Sequence, residues 1–247
     1  MTVEHESELQ GLRAAGRIVA NTLRTMGEAV QPGVTTGALD AIAAEELRRA
    51  GARPAPALTY GFPGVACISI NDEAAHGIAG KRVIRDGDLV KLDLSLEFAG
   101  FWADAAITVI AGAADQRHRR LCQITQSALN AGVAAAQAGK PMHAIGRAIE
   151  ATTRKAGLRV IRELNGHGLG RRLHEDPSVP HYFEPRAARL LHEGLVLTVE
   201  PHVALGGGRI YEAADGWTLK TRDGSFVANF EHTIVITKGA PIVITAV

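Results

Sequence analysis

The sequence predicts an α+β chain of two duplicated halves, each a helix pair followed by antiparallel strands, with the strands meeting across one central curved sheet. Three observations lead there. The segment AVQPGVTTGALDAIAAEELRRAG at 29–51 aligns without gaps on AAQAGKPMHAIGRAIEATTRKAG at 135–157, an offset of 106 residues that keeps the Gln-x-Gly entry and the closing glycine. That offset is far too long for a solenoid repeat, so duplication of a half is the natural explanation and chance likeness of two alanine-rich helices the competing one. After each helical stretch the pattern changes to a two-residue alternation. No Pro/Gly/Ser-rich linker divides the halves, so one domain spanning 1–247 is expected, with halves near 1–112 and 113–247.

The first helix is read from Leu9, Leu12, Ile18, Val19, Leu23 and Met26, which recur at amphipathic spacing over Glu8 to Met26. Pro32-Gly33 ends that element. Thr36 then serves as the expected N-cap of a second helix running to Ala50, which Gly51 stops. Strands follow. In Leu89–Leu96 the residues Val90, Leu92, Leu94 and Leu96 share one face and Lys91, Asp93 and Ser95 the other. Leu195, Leu197 and Val199 alternate with Val196, Thr198 and Glu200, and Val227, Asn229, Glu231 and Thr233 share a face near the end of the chain.

Composition narrows the function. Lys plus Arg is 27 against 26 for Asp plus Glu, so no whole-chain field favours nucleic acid or an anionic membrane, and activity is expected from a local site. The start MTVEHESELQ lacks an apolar signal core, and no run approaches the length of a membrane span, which points to the cytoplasm. Cys67 and Cys122 are the two cysteines and are expected to be reduced thiols.

Chemistry concentrates in acidic strand residues. Asp93 and Asp104 flank a turn at Phe98-Ala99-Gly100, and a tight hairpin there would set the two carboxylates opposite each other. Like charges so placed in a half-buried sheet repel unless one is protonated or a cation lies between them; on a solvated face the pair would be unremarkable. His167 stands in Asn165-Gly166-His167-Gly168-Leu169-Gly170, where glycines admit close backbone approach to a ligand. Glu200 precedes Pro201 and is biased to an extended strand end, while Glu231 is expected mid-strand between Phe230 and His232. Taken singly, each glutamate fits a structural role. Together, two Asp, two Glu and one His form a hard donor set suited to Mn, Fe or Co, with enough carboxylates for two ions roughly 3.5–4 Å apart bridged by carboxylates and a water.

CISINDEAAHG at 67–77, LVKLDLSLEFAGFWADAA at 89–106, NGHGLGRRLHEDP at 165–177, LTVEPHV at 197–203, DGWTLKTRDGS at 215–225 and FEHTIVIT at 230–237 together resemble the type I methionine aminopeptidases, of the pita-bread (creatinase/aminopeptidase) fold. The resemblance implies that Asp93 and Asp104 hold one metal, His167 and Glu200 the other, and Asp104 and Glu231 both. It further implies that His76 and His174 are catalytic and contact substrate, that Glu200 shuttles protons, and that Phe62, Cys67, His76 and Trp217 enclose the methionine side chain. The expected reaction is removal of N-terminal methionine from peptides and nascent proteins with a small second residue. Expected, too, are a monomer and ribosome contact, although no basic tail marks the latter. Several positions depart from the family: Leu173 replaces an aromatic residue, Ala75 a cysteine, Thr59 a tyrosine and His202 a methionine, which leaves the pocket's shape open. Proline-specific relatives carry an additional N-terminal domain, and type II enzymes insert a helical subdomain for which the interval between His174 and Glu200 is too short. A non-enzymatic peptide-binding relative would be expected to have lost ligands that are all present here.

Overall fold

The computed structural model describes residues 1–113 and 115–246. Its first half runs α1 (Glu6–Glu28), α2 (Thr36–Ala50), β1 (Arg53–Pro54), α3 (Ala55–Tyr60), β2 (Cys67–Ile70), β3 (Glu73–Ala75), β4 (Leu89–Phe98) and β5 (Phe101–Ile110). The second half opens in the same way with α4 (Gln116–Ala135), α5 (His143–Lys155) and β6 (Arg159–Val160), and β6 lies 106 residues after β1. It continues with β7 (Gly166–Gly168), β8 (Glu175–Val179), β9 (Val196–Val199), β10 (His202–Ala204), β11 (Ile210–Glu212), β12 (Leu219–Thr221), β13 (Val227–Asn229), β14 (His232–Val235) and β15 (Ile242–Val243). Mixed helices and antiparallel sheets of the expected α+β class are thus present.

Helix α1 begins earlier than the apolar spacing suggests, because Glu8 turns back and accepts the N–H groups of Glu4 and His5 at 2.9 and 3.3 Å. At α2 the cap is Thr35, one residue before the expected Thr36: the Thr35 hydroxyl accepts from Ala38 N–H at 3.1 Å. Thr36 instead points inward and bonds Gly80 through its hydroxyl.

Two apolar cores lie under the helix pairs. Val19, Leu23, Met26, Leu39 and Leu47 pack on Leu92, Leu94 and Leu96 of β4, all buried. Leu129, Ile145 and Ile149 pack on Leu197, Val199 and Ile234. Each such side chain contributes about 1.5–3 kcal/mol on leaving water.

The hairpin β4–β5 turns on Ala99-Gly100, with φ of +50° and +83°, and this two-residue turn pairs Phe98 with Phe101. The register that follows corrects one expectation. Asp93 pairs with Ala106 and Asp104 with Ser95, so the two aspartates are diagonal neighbours on one face rather than directly opposite. Strand β5 is then laced to the second half by hydroxyls. Thr233 accepts from the Asp104 N–H at 3.0 Å and donates to the Asp104 carbonyl at 2.7 Å, while Thr108 donates to the Asn229 carbonyl at 2.6 Å and accepts its N–H at 2.9 Å. Between these, Glu231 N–H donates to the Ala106 carbonyl at 2.9 Å. Lys91, buried in the same face, adds a further stitch: its ammonium donates to the carbonyls of Asn71 and Val227 at 3.0 and 3.1 Å, and burial lowers its pKa to about 7.

A second expectation fails at Glu231, which is not mid-strand. The tracks β9–β10 and β14–β13 are each interrupted, at Glu200-Pro201 and Phe230-Glu231 respectively. Val199 pairs with His232 on one side of the interruption and His202 with Asn229 on the other, so Glu200 and Glu231 lie across from each other where the ladder opens.

Candidate metal centre and active site

The hairpin and the interrupted strands converge on one cavity of about 320 Å³. Its walls include Asp93, Asp104, His167, Glu200 and Glu231 together with His76, His174, Phe62, Cys67 and Trp217, so every candidate ligand, catalytic and pocket residue named from the sequence reaches the same space. Pro56, Tyr60, Ser95 and Leu173 complete the lining.

The polar floor has no counter-charge among the described residues. Burial, reinforced by neighbouring carboxylates, pushes Asp104 and Glu231 well above the ordinary carboxylate range. Burial raises Asp93 to about 7 and Glu200 to about 8, the latter despite a hydrogen bond from Thr198 that pulls it down. Asp104 Oδ1 and Glu231 Oε1 are both buried and lack any hydrogen-bond partner. Ligand atoms of Asp104, His167 and Glu231 lie within 4.8 Å of one another. Buried, unpartnered carboxylate oxygens beside an imidazole satisfy their electrostatics by coordinating a cation, so the residues fit a divalent metal.

His167 is set up as a ligand. Its Nδ1 lies 2.9 Å from the Gly168 carbonyl, which can only accept, so that nitrogen carries the proton and Nε2 keeps a free lone pair. Nε2 is 3.6 Å from Glu200 Oε1 and 4.0 Å from Asp104 Oδ2. Burial and the nearby His174 lower its pKa to about 3, which keeps the ring neutral.

Two supporting residues were not found from the sequence. Thr198 accepts the His167 N–H at 2.9 Å and donates to Glu200 Oε1 at 2.8 Å, fixing two candidate ligands with one hydroxyl. His181, fully buried, accepts the Glu200 N–H on Nε2 at 3.1 Å, and its Nδ1 faces the Leu164 carbonyl at 3.3 Å. Thr198 has a sequence signal, since it sits two residues before Glu200 on the same face of the strand. His181 has none: it lies in the loop after β8. His202, the extra imidazole beside Glu200, does not line the cavity; its ring packs inward, 3.4 Å from the Asn229 amide.

Above the floor stand the two further histidines. His76 has φ of +56°, a conformation that costs a non-glycine residue about 1–3 kcal/mol. Next to it, Gly77 seats against β2, where an added Cβ would come 2.4 Å from the Ile68 carbonyl oxygen, and its N–H donates to Ser69 Oγ at 3.0 Å. That fit holds His76 in place. His174 packs its ring 4.2 Å from that of His167, and its Nδ1 lies 2.5 Å from the hydroxyl of Tyr60. Thus the residue after Thr59 supplies a tyrosine at the mouth of the cavity, another feature missed in the sequence.

The apolar wall is formed by Phe62 and Trp217, edge to face at 5.2 Å, with Leu173 buried beside them. Asp215 holds the Trp217 loop by accepting the N–H groups of Trp217 and Thr218 at 2.9 and 2.8 Å. Cys67 pairs directly with Asp93, and burial together with that carboxylate raises its thiol well above the usual value, so it stays protonated and acts as a small apolar group.

Comparison with known proteins agrees with this geometry. Residues 10–238 match Metallopeptidase family M24. The chain is 44% identical to methionine aminopeptidase 2 of Bacillus subtilis over 99% of both chains, and 42% identical to a methionine aminopeptidase of Staphylococcus epidermidis over 100% of this chain and 99% of that one. The crystal structure of a methionine aminopeptidase from Thermotoga maritima superposes with a TM-score of 0.96 at 34% identity over the whole of both chains. A prolidase from Pyrococcus furiosus shares the fold alone, at 20% identity and a TM-score of 0.77, with this chain spanning 66% of its length. The pita-bread fold expected from the sequence is therefore present, and the chain belongs to metallopeptidase family M24.

Proposed function

We propose that this chain is a methionine aminopeptidase that removes N-terminal methionine from peptides and nascent proteins, preferring a small second residue. Its relatives are named methionine aminopeptidases, and the family is one of metallopeptidases. The observation that carries the reading is the shared cavity: unpartnered buried carboxylates and a neutral imidazole on its floor, an aromatic slot on its wall, and two histidines between them.

In this reading Asp93 and Asp104 would hold one divalent ion and His167 and Glu200 a second, with Asp104 and Glu231 available to either; the oxygen-rich set suits Co, Mn or Fe. When bound, such ions polarise a carbonyl and lower the pKa of water toward neutrality. The protein's own groups do the rest. Glu200, oriented by Thr198 and His181, takes the proton of the attacking water on its carboxylate and returns it to the departing amine nitrogen. His76 faces the substrate's amine and scissile amide, and His174 the oxygen on which negative charge develops. Phe62, Trp217 and Cys67 enclose an unbranched thioether, with sulfur–aromatic contacts of about 0.3–1.5 kcal/mol each.

The same reading takes 1–247 as a single catalytic domain arisen by duplication, supported by the matched order of α1–α2–β1 and α4–α5–β6. It takes the protein as a cytoplasmic monomer that meets its substrates at the ribosome; among the described residues no helix is long and apolar enough to cross a membrane.

The test is release of free methionine from Met-Ala-Ser by chelator-stripped protein before and after addition of Mn, Co or Fe, beside Leu-Ala-Ser and N-acetylated Met-Ala-Ser. Metal-restored cleavage of the free Met peptide alone is expected. Silence under every metal rejects the proposal, and equal activity on Leu rejects the assigned pocket. Glu200→Gln is expected to keep the fold and lose about 10²–10⁴-fold in turnover, the usual contribution of a positioned acid–base group.

A further inference from the structure

Helix α3 is short and closed at both ends. It enters from Pro54, carries Pro56 in its first turn and stops at Gly61, whose φ of +70° lets its N–H turn back to the Ala57 carbonyl at 3.1 Å. Just beyond, Asp40 Oδ1 accepts the N–H groups of Val65 and Ala66 at 2.9 and 2.8 Å, so the chain is tied down again before it enters β2. One helix stop therefore sets two side chains of the cavity. Tyr60, the last residue of α3, stands at the mouth, and Phe62, two residues on, reaches the wall beside Trp217.

Tyr60 gains little from burial, being 52% exposed. What its backbone delivers is a contact: the hydroxyl lies 2.5 Å from His174 Nδ1, with the two rings 5.5 Å apart and tilted by 43°. Neither side chain makes another protein hydrogen bond among the described residues, so His174 Nε2 is left for the cavity that the ring lines.

The direction of the bond follows from the two groups. A neutral imidazole offers one N–H and one lone pair, and a phenol offers an O–H that needs an acceptor. If Nδ1 donated, the phenol proton would have no protein acceptor. With the phenol donating, Nδ1 holds the lone pair and Nε2 carries the proton. A positively charged ring is disfavoured here, because it would stand beside the cation that His167 is set up to bind. His167 has the opposite setting: its Nδ1 donates to the Gly168 carbonyl and its Nε2 lone pair faces the carboxylates. The two rings, 4.2 Å apart, thus present complementary nitrogens, one a lone pair for a cation and the other an N–H for an anion.

We infer that Tyr60 is a positioning residue for His174: its phenol donates to Nδ1 and thereby aims the Nε2–H at the oxygen on which negative charge develops. The inference rests on the part given to His174 in the proposed reaction. No bond is made or broken at Tyr60. As charge grows on the oxygen, the N–H···O and O–H···N bonds strengthen each other.

The experiment pairs kinetics with a direct view of the ring. With Mn-loaded, full-length protein and Met-Ala-Ser, Tyr60→Phe is expected to lower kcat about five- to twentyfold, a fraction of what loss of a whole oxyanion donor costs, and to leave KM within about twofold. The second readout is nitrogen NMR of isotope-labelled histidines in protein loaded with Zn, which is diamagnetic. The His174 signals, assigned by their absence from His174→Gln, are expected to show a bare Nδ1 and a protonated Nε2, and in Tyr60→Phe that pattern should give way to a mixture of both tautomers. Leu58→Ala, an exposed truncation on the same helix, should change neither readout. An unchanged kcat, a loss carried by KM alone, an unchanged tautomer in Tyr60→Phe, or a parent ring protonated on Nδ1 or bound to metal through Nε2 would each overturn the inference. Because the tautomer is read without turnover, a parent that shows the expected ring but releases no methionine would count against the proposed activity and not against this contact.

Discussion

The two halves build the candidate site by different means. The first presents Asp93 and Asp104 from one continuous hairpin, whose positions follow from a two-residue turn and an unbroken ladder of ten pairs. The second presents His167, Glu200 and Glu231 from a glycine-flanked bulge and two interrupted strands, each side chain steered by a neighbour such as Thr198 or His181. A ladder fixes direction but alternates strictly between faces. Interruptions free the backbone to aim at a common point, and they need local hydrogen bonds to hold that aim. The half built on a ladder is therefore expected to tolerate loss of a supporting contact better than the half built on breaks.

The largest effect tests the shared carboxylate at the seam. Asp104→Asn is expected to reduce metal-dependent turnover by at least about a thousandfold, equivalent to about 4 kcal/mol. In chelator-treated protein the same change is expected to raise stability by about 1–3 kcal/mol in a denaturant titration, because it removes one of several buried carboxylates that lack a counter-charge. A fall in the stability of the metal-free variant would count against the crowding of charge described here.

Supporting contacts sharpen the comparison. Thr198→Val removes the hydroxyl joining His167 and Glu200 and is expected to weaken metal affinity or activity about 10–100-fold. Ser95→Ala, at the hairpin position paired with Asp104, leaves the ladder intact and should change affinity several-fold less. Equal losses in a metal titration would erase the distinction between ladder and break.

The metal-free protein should also respond to pH. Asp93 and Glu200 have folded pKa values raised to about 7 and about 8, above their unfolded values near 4. A raised carboxylate favours the folded state while protonated, so the stability it contributes is full below pH about 4 and is lost as pH rises through 7 to 8. Thermal unfolding of chelator-treated protein should thus shift to lower temperature between these limits, and saturating Mn should remove the shift. The smallest effect concerns the helix pairs: Thr35→Ala removes the hydroxyl cap of α2 and should cost about 1 kcal/mol, whereas α5 enters from Met142 with no side-chain cap to lose.

What was legible in the sequence follows the same division. The five candidate ligands could be named because they lie in local alternation patterns beside glycines and a proline, and all reach one cavity. Their exact partners could not. Whether Asp93 faces Asp104 or lies diagonal to it depends on which two residues make the turn: Phe98-Ala99 would pair the two aspartates, whereas Ala99-Gly100 pairs Asp93 with Ala106, and Ala99-Gly100 is a weaker signal than Asn-Gly. Glu231 read as mid-strand because alternation continues through the interruption. Tyr60 and His181 are distant in sequence from the groups they contact, and no periodicity connects them.

The most direct test of the account is anomalous diffraction from crystals equilibrated with Mn, recorded near the Mn absorption edge. Strong peaks are expected at the seam between the hairpin and the interrupted strands, within coordination distance of Asp93, Asp104, His167, Glu200 and Glu231. Mn sites elsewhere, or an empty seam at saturating Mn, would contradict it.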